Sequence, residues 1–367
     1  MKVPFVDLRA QYHSIKSEID NAIFSVIEET EFIKGKYVNQ FDKDFAAAYK
    51  VKHCIGVANG TDAIYIVLKM LGIGTGDEVI TVANSWISSS ETITQAGATP
   101  VFVDTEPDYY SIDVNKIEAK ITAKTKAIIP VHLYGQAAEI DKINAICKKH
   151  NLYMIEDCSQ AHFATINGIT IGSLGIASTF SFYPGKNLGA YGDAGAVITN
   201  DDELARKVRM YANHGALIKH QHEMEGINSR LDGMHAAILS VKLPHIHQWN
   251  RARHQNATYL TEKLHGIKGL ETPKIRPGCD HIFHLYVVRA QNREAFQQHL
   301  KDHNIETAIH YPTPLPLLPA YKYLNHSPND FPVTAENQKK IISLPMYPEL
   351  TKEQMDYMAD VIKQFYK

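Results

Sequence analysis

The chain has 367 residues, of which 44% are hydrophobic and 21% charged, with a net charge of −2. That length buries a full core and is long for one domain, so a large and a smaller domain are expected. The near-neutral balance supplies no basic field for nucleic acid or acidic membrane, and no stretch reaches transmembrane length.

Met1–Tyr12 lacks the apolar core of a secretory signal. Cys54, Cys147, Cys158 and Cys279 are too scattered for a disulfide framework or a zinc motif, so a reduced, cytoplasmic setting is expected. From about residue 50 to 200, short apolar runs alternate with amphipathic stretches. Strands are expected at His53–Val57, Glu78–Val82, Thr99–Val103, Ala127–Val131, Tyr153–Glu156, Ser178–Phe182 and Ala194–Ile198. Helices are expected at Asp62–Leu71, Ser88–Ala96, Glu139–His150 and Asp202–Ala212. This alternation predicts an α/β fold, a mostly parallel seven-stranded sheet flanked by helices, with its site at the carboxyl ends of the strands. A long helical pattern from Asp232 through Trp249 to Leu264, interrupted at Pro244, leads into the second unit. The division falls at 1–250 for the large domain and 251–367 for a small α+β domain. The latter holds a strand at His284–Val288, a helix at Arg293–His303 and a Pro-rich loop from Tyr311 to Pro319.

Lys186 lies in Thr179-Phe-Ser-Phe-Tyr-Pro-Gly-Lys-Asn-Leu-Gly, where an apolar strand runs into a Pro-Gly turn. Leu152-Tyr-Met-Ile-Glu-Asp157 reads as a second buried strand that delivers an acid at its end. Adjacent strand residues point to opposite faces, so only one of Glu156 and Asp157 faces a given site. An amine able to form a Schiff base, paired with a buried carboxylate, is what pyridoxal phosphate chemistry requires. Gln160, three residues after Asp157, adds weight to that acid. A solvated lysine after a turn is the bland alternative. The apolar approach and the glycine-rich Gly189–Gly195 run count against it.

Asn59-Gly-Thr-Asp62 separates a strand from a helix, with Thr61 expected as the N-cap and free N–H groups suited to a phosphate. Gly72-Ile-Gly-Thr-Gly76 leads into a strand, which makes it a turn and not a dinucleotide fingerprint. The Gly185-Lys186 pair is no P-loop, because Phe180 stands where the motif needs glycine and Asn187 where it needs Ser or Thr. Among nineteen histidines, His220/His222 and His245/His247 are solvated loop and helix residues, and no metal site is expected.

Taken together, these segments resemble the DegT-type sugar-nucleotide aminotransferases, a branch of the fold-type I pyridoxal phosphate enzymes. The likeness runs through Val3-Pro-Phe-Val-Asp-Leu, Phe32-Ile-Lys-Gly, Asn59-Gly-Thr-Asp-Ala, Gly76-Asp-Glu-Val-Ile and Pro130-Val-His-Leu-Tyr-Gly. It continues through Ile155-Glu-Asp-Cys-Ser-Gln-Ala, Ser181-Phe-Tyr-Pro-Gly-Lys-Asn-Leu, Gly226-Ile-Asn-Ser-Arg-Leu-Asp and His310-Tyr-Pro. The resemblance implies Lys186 as Schiff-base lysine and proton shuttle, Asp157 at the pyridinium nitrogen, Gln160 at the ring 3-hydroxyl and Trp86 stacked on the ring. It implies Gly60, Thr61 and Ser181 on the phosphate, Asn228 reaching the phosphate from the neighbouring subunit of a homodimer, and His310 and Tyr311 near the nucleotide sugar.

The implied reaction moves an amino group from glutamate, by way of pyridoxamine phosphate, to a keto-sugar nucleotide. The motifs look most like enzymes making dTDP-3-amino-3,6-dideoxyhexoses, with UDP-linked 3-keto or 4-keto sugars as alternatives. Two rivals are disfavoured, because Lys186, Asp157 and Gln160 are intact and no group of cysteines exists to hold an iron–sulfur centre. A dehydratase of the same fold would replace the lysine with histidine or add an iron–sulfur site, and a non-catalytic regulator would need none of these residues.

Overall fold

The computed structural model describes residues 1–367. Seven strands form the main sheet: β1 (His53–Val57), β2 (Glu78–Val82), β3 (Thr99–Val103), β4 (Thr125–Ile129), β5 (Tyr153–Asp157), β6 (Ala177–Ser181) and β7 (Gly195–Thr199). Their order is β1-β7-β6-β5-β4-β2-β3, parallel throughout except for β7, which runs antiparallel to both neighbours. The expected strands are therefore all present. β4 begins two residues earlier than the pattern suggested, and β6 and β7 are each displaced by one.

Helices α4 (Gly60–Met70), α5 (Ser88–Gln95), α6 (Ile140–His150) and α7 (Asp202–Tyr211) match their expected positions to within two residues. One local expectation fails. Asn59, not Thr61, caps α4, accepting the Asp62 N–H at 2.8 Å, while Thr61 lies within the first turn and bonds Ser88 Oγ through its hydroxyl at 2.7 Å. Asn59 still has extended backbone, so its side chain reaches the helix start, a place Thr61 has already passed. Three N-terminal helices, α1 (Leu8–Ser14), α2 (Lys16–Glu29) and α3 (Gly35–Tyr49), carry no counterpart in the sequence reading. Phe41 and Phe45 of α3 are fully buried against Phe180 and Phe182, so this segment forms part of the main core.

The long helical pattern breaks where proline demanded it. α8 (Gly233–Lys242) ends in a 3-10 turn at Leu243–His245 containing Pro244, and α9 (Ile246–Leu264) resumes after it. Ile246 and Trp249 pack into the core beneath the large sheet, whereas Ala257, Leu260 and Leu264 pack into a second core. That second core is built on a three-stranded antiparallel sheet, β8 (Leu270–Glu271), β9 (Tyr286–Ala290) and β10 (Ile341–Leu344), covered by α10 (Arg293–Asp302) and α11 (Lys352–Phe365). Val3 joins it by pairing with Ile305. No helix is long and apolar enough to cross a membrane.

Candidate active site

Pairing registers bring the ends of four strands to one edge. Asp157 of β5 pairs with Thr179 of β6, Ser181 of β6 with Gly195 of β7, and Gly195 in turn with Val57 of β1. The loops leaving that edge enclose a cavity of about 620 Å³. Gly60, Thr61, Trp86, Asp157, Gln160, Ser181, Lys186, His310 and Tyr311 all line it. Asn228 does not: it is exposed, in a strand-like pairing with Asn213.

The alternation read from β5 holds. Asp157 faces the cavity, with one carboxylate oxygen accepting from Ser89 Oγ at 3.0 Å and the other from the Ser159 N–H at 3.1 Å. Glu156 faces the opposite way and is fully buried. Its oxygens accept from the N–H groups of Gly172, Leu174 and Gly175 at 2.7, 3.1 and 2.9 Å and from His132 Nε2 at 3.1 Å. The Ala138 N–H donates to His132 Nδ1, so the proton of a neutral ring sits on Nε2. Burial alone would raise the Glu156 carboxyl, but the hydrogen bond and charge of His132 and the amides of Gly172 and Gly175 outweigh it and leave it below its ordinary value. Glu156, His132 and Cys158 lie close enough to hold a metal ion. With every carboxylate contact committed to an N–H donor, however, the cluster is a hydrogen-bonded tie between β5 and its flanking loops.

Lys186 stands in the turn after β6, its own N–H donating to the Tyr183 carbonyl at 2.8 Å. Its amine makes no hydrogen bond within the chain. Burial pushes it down to about 8 from 10.5, against the opposing pull of Asp157. A neutral amine is the nucleophilic form. Acylation of Lys186 by an amine-directed reagent in the cofactor-free protein should therefore rise through pH about 8, and a profile rising only near 10.5 would show an ordinary solvated lysine. His310 is pushed down to about 4 by burial and by Lys186, so it is neutral at pH 7, with Nδ1 held by Ser343 Oγ at 2.8 Å. Burial pushes the Tyr311 phenol up.

Gln160 is spoken for on both sides, Oε1 accepting the Tyr134 N–H at 2.9 Å and Nε2 donating to the Tyr311 hydroxyl at 3.0 Å. Tyr311 also packs on Trp86, ring centroids 5.7 Å apart. At the start of α4, Asn59 satisfies only the Asp62 N–H, which leaves the first-turn amides of Gly60 and Thr61 facing Ser181. A Cβ on Gly60 would lie 2.7 Å from the Ser181 Cβ, and one on Gly195 only 2.4 Å from the Asn59 carbonyl carbon. Both glycines are thus needed to keep this cradle open. Unbonded helix-start amides beside a hydroxyl suit a phosphate, and the amine and acid across the cavity suit an aldehyde-bearing pyridine, so pyridoxal phosphate fits the residues present.

Ser89, Arg253 and His284 also line the cavity and escaped the sequence reading. Ser89 is one of three consecutive serines in the first turn of α5, Arg253 lies on a helix assigned to packing, and His284 is one histidine among nineteen. No local signal distinguishes them.

The chain is similar along nearly its whole length to known proteins. A pleiotropic regulatory protein of Geobacillus stearothermophilus is 47% identical, covering 100% of this chain and 99% of the relative. A dTDP-3-amino-3,6-dideoxy-alpha-D-galactopyranose transaminase of Aneurinibacillus thermoaerophilus is 43% identical over 99% of each. The crystal structure of S. venezuelae DesV in complex with a ketimine intermediate superposes with a TM-score of 0.97 at 39% identity, over 100% of this chain and 99% of that one. The profile of the DegT/DnrJ/EryC1/StrS aminotransferase family matches residues 13–363, and the chain belongs to that family.

Proposed function

We propose that the protein is a pyridoxal phosphate-dependent aminotransferase that passes an amino group from glutamate to a nucleotide-linked keto sugar. A dTDP-linked 3-keto-6-deoxyhexose is the preferred acceptor and a UDP-linked 3-keto sugar the near alternative. The observation that carries this reading is a single cavity holding the lowered amine of Lys186, the buried carboxylate of Asp157 and the open helix-start cradle of Gly60, Thr61 and Ser181. The 43%-identical transaminase named above supports the sugar class.

When bound, pyridoxal phosphate supplies an aldehyde that takes up an amine and a ring that draws electrons from the adjoining carbon. The chain supplies the rest. Gly60, Thr61 and Ser181 hold the phosphate by N–H and hydroxyl donors. Asp157, oriented by Ser89 Oγ and the Ser159 N–H, would face the ring nitrogen and sustain its proton. The second Nε2 hydrogen of Gln160, left over after Tyr311, and the Trp86 indole orient the ring. Lys186 removes and returns the proton at the reacting carbon, work for which an amine lowered to about 8 is suited. His310 and Tyr311 border the space for the nucleotide sugar.

Asn228, exposed on its own subunit, is assigned to the phosphate of the adjoining subunit, which makes the active unit a homodimer with shared sites. Mixed dimers with Asn228→Ala on one chain and Lys186→Ala on the other test this. One composite site would carry both lesions and its mate neither, so about half the wild-type activity is expected. Activity no better than in either parent variant would remove the sharing. The two cores are likewise proposed as two domains divided near residue 250, and the whole as cytoplasmic.

The regulator reading is favoured by the name of the 47%-identical relative. One experiment separates the two. The purified holoenzyme should absorb in the visible, bleach with glutamate and then aminate one member of a panel of 3-keto and 4-keto nucleotide sugars, read by mass spectrometry. A spectrum indifferent to glutamate would sink the transaminase.

A further inference from the structure

Asn187, the residue that sets this turn apart from a phosphate loop, is 2% exposed and has a fully committed amide. The orientation of that amide follows from the backbone outward. Asn250 Nδ2 donates to the His162 carbonyl at 2.9 Å, and since a carbonyl can only accept, Asn250 Oδ1 is the atom turned toward Asn187. Asn187 Nδ2 donates to that oxygen at 2.8 Å and to the Ile282 carbonyl at 3.3 Å. Both of its hydrogens are then used, and its Oδ1 is what meets His284 Nδ1 at 3.0 Å. An amide oxygen cannot donate, so Nδ1 carries the hydrogen. Burial, Lys186 and Arg253 push His284 well below its ordinary value, so the ring is neutral and Nε2 keeps its lone pair. His284 lines the cavity with Lys186, and Nε2 has no hydrogen-bond partner in the chain.

We propose that the Asn250–Asn187 amide relay locks His284 in its Nδ1–H form, so that Nε2 accepts a hydrogen bond from an N–H or O–H donor bound beside Lys186. His284 is then a specificity-determining residue of the transfer, and this role rests on the aminotransferase reading. A carboxylate behind the ring would favour an imidazolium and make a base; an amide does not, and leaves an acceptor. The donor is either the ammonium of the amino donor or a hydroxyl of the sugar.

Holoenzyme labelled with 15N-histidine reads the tautomer directly at neutral pH, with His284→Asn assigning the signal. A protonated Nδ1 and a bare Nε2 are expected. His284→Asn retains a donor toward Asn187 and withdraws the acceptor from the position of Nε2. It should raise one KM by roughly five- to tenfold, the worth of a neutral hydrogen bond, with a smaller change in kcat. A rise for glutamate identifies the ammonium; a rise for the nucleotide sugar identifies the hydroxyl. His284→Gln, which carries an acceptor further out, should recover part of the lost affinity and assigns the signal if the Asn variant does not fold. The opposite tautomer, an imidazolium, or two unchanged KM values would overturn the proposal. A wild-type protein that aminates no nucleotide sugar would count against the transaminase reading, and the tautomer then decides this one alone.

Discussion

Lys186→Ala is expected to abolish turnover, by at least about a thousandfold, while leaving the fold intact. The two halves of that expectation have separate grounds. The Lys186 amine makes no hydrogen bond or ion pair, and its main-chain bond to Tyr183 does not depend on the side chain. Removing the amine also removes a group lowered by burial, so no stabilising charge is lost. Chemically, no other amine takes its place, because Lys242 donates to the Gly189 carbonyl at 2.7 Å and lies over the Tyr191 ring, outside the cavity lining. Turnover with glutamate and a keto-sugar acceptor measures the loss. Borohydride treatment of the wild type, followed by peptide mass spectrometry, should find the cofactor fixed on Lys186. A variant that turns over normally, or cofactor trapped elsewhere, would overturn the assignment.

Glu156→Ala is expected to cost stability on the order of 3–5 kcal/mol, with loss of activity only as a consequence. The truncation strands three backbone donors and His132, all bonded to a side chain that is 0% exposed. Because the carboxyl sits below its ordinary value, its contribution is fully present above about pH 4.5 and is lost as pH falls through the folded value. Chemical denaturation of the variant at neutral pH measures the effect, and a midpoint within error of wild type would show the tie to be idle. The contrast with Asp157 is instructive: neighbours on one strand, one carboxylate holds the scaffold and the other faces the cavity.

The large sheet was legible because each parallel strand is a short apolar run bounded by a turn, and because helices between strands carry their own period. The N-terminal helices were not, since their apolar faces pack on aromatic residues more than a hundred positions away and no local contrast announces that. At the site, Lys186 and Asp157 stood out because each ends a buried strand. Asn59 was passed over for Thr61 because composition does not say which residue still has extended backbone. His284 and Arg253 were invisible for a different reason: each becomes a cavity residue only when the second core closes over the first, a relation set by tertiary packing and not by spacing.

The continuity of α9 across both cores has a practical consequence for anyone exchanging C-terminal halves between relatives to retarget the acceptor. Ile246 and Trp249 anchor the start of the helix in one core and Ala257, Leu260 and Leu264 its remainder in the other, with Asn250 and Arg253 between them. Arg253 alone gathers the carbonyls of Phe283, His284 and Met346. A crossover between Arg253 and Phe283 would set the arginine against foreign carbonyls, so chimeras should be spliced in the Leu243–His245 turn, which keeps Arg253 and all three carbonyls from one parent.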